Sequence, residues 1–124
     1  MRPYAAPVST ADPDCVFCKI VSGDIPAEVL GRTEHALAFR DLNPQAPFHV
    51  LVVPFAHHEN AAATAAADPA SLGHVVALAD EVARDAGNAD YRLIANTGAG
   101  AGQTVFHTHL HVLAGSTGLS ESLV

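Results

Sequence analysis

The chain has 124 residues, with 6 Lys and Arg against 13 Asp and Glu and a formal net charge of −7. That length allows one domain, and the acidic balance excludes a basic face for gripping a nucleic-acid backbone, so no nucleic-acid partner is expected. No apolar run nears the roughly 20 residues of a membrane span, no apolar signal-peptide core opens the chain, and two cysteines spaced Cys-x-x-Cys are too few for a disulfide scaffold, which predicts a cytoplasmic protein away from membranes.

Residues 1–14 carry three Pro and no hydrophobic period and are expected to be a mobile tail. Cys15 to Val21 is short and apolar, enough for one or two helical turns, and Gly23-Asp24-Ile25-Pro26 breaks it. Glu28 to Thr33 reads as a first strand. His35 to Arg40 alternates Ala36, Ala38 and Arg40 against Leu37 and Phe39, the period of a second strand. After a turn at Asn43 to Pro47, Phe48 to Phe55 carries the run Val50-Leu51-Val52-Val53, the strongest strand signal in the chain. Asn60 to Ala67 suits a short helix. A longer helix then opens on Asp68 as N-cap with Pro69 at its first position. Leu72, Val75, Val76, Ala79, Val82, Ala83 and Ala86 are assigned to its apolar stripe, with Gly87 as the stop. Tyr91 to Asn96 is a strand, Thr97 to Gly102 a glycine-rich loop and Thr108 to Ala114 the last strand. Residues 116–124 are a second tail, leaving a domain over 15–115. Strands, a long helix, then strands predict an α+β fold: an antiparallel sheet of about five strands with one long and one short helix. Of the apolar residues, 24 are Ala, which bury little area and hint at a second subunit.

Histidine outnumbers Lys and Arg together, eight to six. His107, His109 and His111 alternate, which on a strand puts three imidazoles on one face, about 6.6 Å apart, with Thr108 the one non-apolar residue on the core side. Burying three imidazoles is costly unless each is hydrogen-bonded or ligated. A metal site and nucleophilic catalysis both satisfy that condition. The adjoining glycine-rich loop favours the second, as a cradle of N–H groups for a phosphate.

His107-Thr108-His109-Leu110-His111-Val112-Leu113 resembles the signature of the histidine triad (HIT) superfamily. Its surroundings are similar to the Hint-like, nucleotide-binding branch: Phe17 to Ile20, Ile25-Pro26-Ala27, Leu37 to Pro47, His49 to Pro54, Tyr91 to Asn96 and Gly102 to His107. The resemblance implies a HIT-like fold continued across a homodimer, with the long helix and the Tyr91 strand at the interface. It implies a purine nucleoside phosphoramidase or related nucleotide hydrolase, binding AMP- or GMP-type ligands with no organic cofactor. His109 matches the nucleophile that forms a nucleotidyl-histidine intermediate. His111 and His49 match groups that contact the phosphate and relay protons, with His107 and Thr104 completing the catalytic set. Asp41 matches the acid that holds the ribose hydroxyls, and Phe39 and Leu42 the walls of the base pocket. Asn96, Gly102, Gln103, Thr104 and Val105 fall in the segments around the phosphate. Rival readings are a dinucleoside polyphosphate hydrolase or phosphorylase of a neighbouring branch and a non-catalytic nucleotide-binding protein.

Cys15 and Cys18 are a weak signal alone, but with His107 and His57 or His58 they make a Cys2His2 set. Many bacterial triad proteins resemble this arrangement, and His57 matches better than His58 by position, so a structural zinc is expected on Cys15, Cys18, His57 and His107. The Trp-Pro-Pro-Gly tail usual in the Hint-like branch has no counterpart in this chain, which ends Ser122-Leu123-Val124.

Overall fold

The computed structural model describes residues 11–115. The predicted tails over 1–10 and 116–124 lie outside the described residues. Residues 12–14 form a turn against the first helix: Cys15 N–H donates to the Asp12 carbonyl, and Asp12 N–H to the Cys18 sulfur.

The elements run α1 (Val16–Ser22), β1 (Val29–Arg32), β2 (Ala36–Arg40), β3 (Phe48–Pro54), α2 (Ala61–Ala67), α3 (Pro69–Asp85), β4 (Arg92–Ile94) and β5 (Leu110–Ala114). The five strands form one sheet in the order β1-β2-β3-β5-β4, antiparallel throughout. The expected α+β architecture is therefore the observed one. Asp68 closes α2 and caps α3, its carboxylate accepting from Ser71 N–H.

The sheet is covered on both faces in its middle, which is why β3 reads as an unbroken apolar run rather than an alternation. Val50 and Val52 face α3 with Ala36, Ala38, Leu110 and Val112. Leu51 and Val53 face α1 with Leu37, Phe39, Phe17 and the two cysteines. Small residues on β2 and α3 let helix and sheet approach closely. At Gly31 there is no room for a side chain, since a Cβ there would sit 2.8 Å from Val82 Cγ1.

The apolar stripe of α3 and the start of the last strand differ from expectation, and β4 is shorter than the expected Tyr91 to Asn96. The buried stripe of α3 is Val75, Leu78, Ala79, Val82 and Ala83, at i, i+3, i+4, i+7 and i+8. Val76 lies one position round from Val75 and is 40% exposed, while Ala86 is the C-cap, past the sheet. Leu78 takes their place in the core. The last strand starts at Leu110, not Thr108, because β3 offers nothing further to pair with. Pro54 has no N–H, and its carbonyl accepts from His107 Nε2 at 2.9 Å. Thr108 N–H goes instead to the His58 carbonyl, 2.8 Å away.

Thr108 breaks the apolar pattern of its strand face and is fully buried. Its partner is Thr64, the one polar residue in α2, at 2.6 Å between hydroxyl oxygens. Thr108 Oγ1 also donates to the His58 carbonyl at 3.2 Å, so the Thr64 hydroxyl is the donor between the two. Removing Thr108 Oγ1 strands a buried donor, whereas removing Thr64 Oγ1 leaves the Thr108 donor satisfied. Thr108→Val is predicted to cost about 1–3 kcal/mol, Thr64→Val less, and the double variant less than the sum of the two. Urea denaturation of the four proteins checks this; additive effects would contradict the pairing.

Candidate functional site

The histidine row lies on the α1 face of the sheet but divides into two centres. His109 and His111 stay together, ring centroids 5.1 Å apart. The His107 ring is turned into the cysteine cluster. His49, from β3, joins the first centre with Nε2 2.9 Å from His111 Nδ1.

Hydrogen-bond partners settle where each ring carries its proton. His109 Nδ1 lies 2.8 Å from the carbonyl of His107, which can only accept. The proton is therefore on Nδ1 and the lone pair on Nε2. Gln45 N–H donates to His49 Nδ1 at 2.9 Å, so His49 is protonated on Nε2 and donates to His111 Nδ1. That leaves the His111 proton on Nε2. Asp41 Oδ2 is 3.3 Å from His49 Nε2, and Asp41 Oδ1 accepts from Asn43 N–H at 2.8 Å. Asp41, His49 and His111 lie close enough together to suggest a metal site. The Gln45 N–H opposes it, because a metal on His49 Nε2 needs a lone pair at that nitrogen.

Burial is the main force on these rings. It pulls His49 and His109 below the usual histidine range, against the opposing pull of the Asp41 carboxylate. His111 is pushed down to about 4, first by burial and then by its histidine neighbours. The three imidazoles are thus neutral at pH 7.

A cavity of about 310 Å³ opens in front of His109 and His111. Phe39, Asp41, Leu42, Thr104 and Val105 line it, as expected from the sequence. Leu42 stands at its edge, 97% exposed. The far wall comes from α1 and the segment after it, through Phe17, Ile20, Ile25 and Pro26. These were not assigned to the site from the sequence, although two of their segments carried the family resemblance. A larger hollow of about 440 Å³ lies at the end of α3 around Gly87 to Arg92 and contains none of the histidines.

Asn96, Gly102 and Gln103 stand outside the cavity lining. The glycine-rich loop, expected as an open cradle of N–H groups, has several of them already taken. Gly98 N–H donates to Gln103 Oε1, and the N–H groups of Ala101, Gly102 and Gln103 are bonded to carbonyls of Gly98 and Ala99. Gln103 is 3% exposed and ties the loop to the carbonyls of Glu59 and Val105. Donors for an anion at this site include the His111 Nε2–H and the Thr104 hydroxyl.

The second centre gathers Cys15, Cys18, His57 and His107, four residues able to hold a metal ion. His107 Nδ1 lies 3.5 Å from each sulfur and 3.1 Å from His57 Nδ1, and Cys18 Sγ lies 3.4 Å from His57 Nδ1. Tetrahedral zinc with ordinary bond lengths separates such ligand atoms by about 3.3–3.8 Å, so the donor set fits. Because His107 Nε2–H is held by the Pro54 carbonyl, its Nδ1 lone pair points into the cluster, the outer-shell arrangement that orients a ligating imidazole. Asp12 Oδ2 stands 4.0 Å from His57 Nε2, too far for a hydrogen bond. Burial pushes the Cys18 thiol up to about 11, a penalty that a cation would reverse. His58 stays out of the cluster; its carbonyl receives Thr108.

Residues 22–118 match the family model of the HIT domain. An HIT-like protein of the cyanobacterium Synechocystis is 48% identical over 103 residues, covering 82% of this chain and 90% of that protein. Among solved structures, a HIT family hydrolase from Clostridium thermocellum is 39% identical, with a TM-score of 0.84 over 90% of this chain and 99% of the other. A hypothetical histidine triad nucleotide-binding protein from Sulfolobus tokodaii is 26% identical, with a TM-score of 0.72 over 89% and 74% of the two chains.

The depressed His111 has a stability consequence. Between pH 6.5, its ordinary value, and about 4, the unfolded chain takes up a proton that the folded chain refuses. Its share of stability is present in full above that window and is lost as pH falls through it. Urea midpoints should therefore drop as pH is lowered across this range, and less steeply in His111→Asn. Equal slopes in the two proteins would contradict the assignment.

Proposed function

This chain belongs to the HIT-domain family, and on that premise we propose that it is a Hint-like purine nucleoside phosphoramidase, releasing AMP or GMP from conjugates joined through a P–N bond. The observation that carries this proposal is the His109 Nδ1–H bond to the His107 carbonyl, which leaves a neutral Nε2 lone pair beside a cavity of nucleoside size.

In the first step His109 Nε2 attacks the α-phosphorus. The new N–P bond forms as the old P–N bond breaks, and the amine leaves after taking up a proton from solvent, which the water consumed in the second step gives back. The Nδ1–H, held by a carbonyl, stabilises the positive charge that grows on the imidazole. His111 presents Nε2–H to a phosphoryl oxygen, backed by His49, and Asp41 holds His49 in place through Oδ2. Water then attacks the nucleotidyl-histidine, releasing the nucleotide and restoring neutral His109. The Thr104 hydroxyl faces the phosphate or the departing amine, and Asp41 lies where it can accept from ribose hydroxyls. Phe39 and Leu42, with the α1 residues, provide apolar walls for a purine.

Zinc suits the second centre, held by Cys15, Cys18, His57 and His107, where it supplies structural cross-linking of α1 to the sheet. The exposed edge strand β4, with Leu93 36% exposed, supports a homodimer through that edge. Two unpaired thiols side by side suit a cytoplasmic setting.

Purified protein offered an adenosine phosphoramidate, diadenosine polyphosphates and AMP should hydrolyse the first and bind the last. His109→Ala should lower kcat by at least about 10³-fold while still binding AMP. Tight AMP binding with no phosphoramidate turnover would overturn the proposed activity. Protein prepared without chelator should contain one zinc per chain, and Cys15→Ser none.

A further inference from the structure

His107 belongs to both centres. Its side chain is held from two sides, Nδ1 among the cluster ligands and Nε2–H on the Pro54 carbonyl. Its own carbonyl is the acceptor for His109 Nδ1–H. The residue that anchors the second centre thus presents the atom that orients the His109 ring.

A second link runs through Phe17, which stands in the Cys-x-x-Cys turn between the two thiols. Its ring is 6% exposed and meets His109 edge-to-face, with centroids 5.0 Å apart at 82°. It makes similar contacts with His107, at 6.0 Å, and with Phe39, at 5.6 Å. The helix that carries it, α1, has only seven residues. A helix that short does not hold itself in water, so the placement of Phe17 depends on how Cys15 and Cys18 are tied down.

We infer that the Cys15, Cys18, His57 and His107 centre is a positioning device for His109, acting through the His107 carbonyl and the Phe17 ring. Metal bound at the centre then governs the rate of the chemical step in addition to anchoring α1. An imidazole released from both restraints rotates about its Cβ–Cγ bond and exchanges tautomers, and displacement of a reacting atom by about 1 Å can cost 10²-fold in rate. The rate component of this inference rests on the phosphoramidase proposal. The positioning component does not, and it is read without substrate.

The test compares zinc-loaded protein, chelator-stripped protein, Cys18→Ser and Phe17→Leu. Each is measured for metal content, circular dichroism, AMP affinity, kcat on an adenosine phosphoramidate, and the side-chain ¹H–¹⁵N NMR signals of His109. In the zinc-loaded protein, His109 is expected to show one tautomer and a slowly exchanging Nδ1–H. Stripped protein and Cys18→Ser should lose that signal and drop in kcat by about 30-fold or more, a larger factor than the accompanying loss of AMP affinity through the displaced α1 wall. Zinc should restore the stripped protein and leave Cys18→Ser unrestored. Phe17→Leu should keep its zinc and its fold yet broaden or lose the Nδ1–H signal, and it decides the matter if the metal-free proteins unfold. A stripped, folded protein that keeps the single tautomer and its kcat would overturn the inference, as would a zinc-loaded Phe17→Leu with an unchanged His109 signal. Failure to hydrolyse any phosphoramidate, with the His109 signal still following zinc, would overturn only the functional proposal.

Discussion

The carbonyl of His107 can only accept a hydrogen bond, so its 2.8 Å contact with His109 Nδ1 commits the ring proton to that nitrogen and the lone pair to Nε2. Much of the surrounding structure serves to keep that carbonyl still. Pro54 ends β3 with no N–H to offer, and its carbonyl is taken by the His107 side chain. The β3–β5 ladder therefore stops at Val52 and Leu110, and the segment before β5 is free to leave strand geometry. The buried Thr64–Thr108 contact and the Gln103 bonds fix the same segment from the other side.

The charge balance of the chain takes on a different sense in this setting. An acidic protein is a poor collector of polyanions, and a single phosphate does not require it to be a good one. The site instead offers neutral imidazoles, each with its proton placed by a neighbour. Burial, the largest influence on all of them, lowers their affinity for protons. A protonated His109 has no lone pair for attack, so the desolvation that disfavours charge also keeps the nucleophile available at neutral pH.

The local elements were legible where a local cause sets them. Asp68-Pro69 marks the start of α3, and the alternation of β2 shows its two faces. The unbroken apolar run of β3 follows from helices on both sides of the sheet. The triad motif located His109, His111 and the Asp41 side of the cavity. What could not be read depends on contacts between distant parts of the chain. His107 was expected beside Cys15, Cys18 and His57, but the Pro54 carbonyl that takes the other side of its ring comes from the end of β3, far from it in the chain. The wall formed by Phe17, Ile20 and Ile25 depends on where α1 docks. Gln103 falls in a segment that the family resemblance sets around the phosphate, yet its amide reaches back to the Glu59 carbonyl. In the loop itself, composition could not reveal that the N–H groups of Gly98, Ala101 and Gly102 are satisfied internally.

The central claim is that His109 Nε2 is the attacking atom. Rapid-quench mixing of the protein with an adenosine phosphoramidate, followed by peptide mass spectrometry, tests it directly. The account predicts an acid-labile adenylyl group on the peptide containing His109, formed before free AMP accumulates and absent from His109→Ala. AMP released at the full rate with no adduct at any time point, or an adduct on His49 or His111 instead, would contradict it.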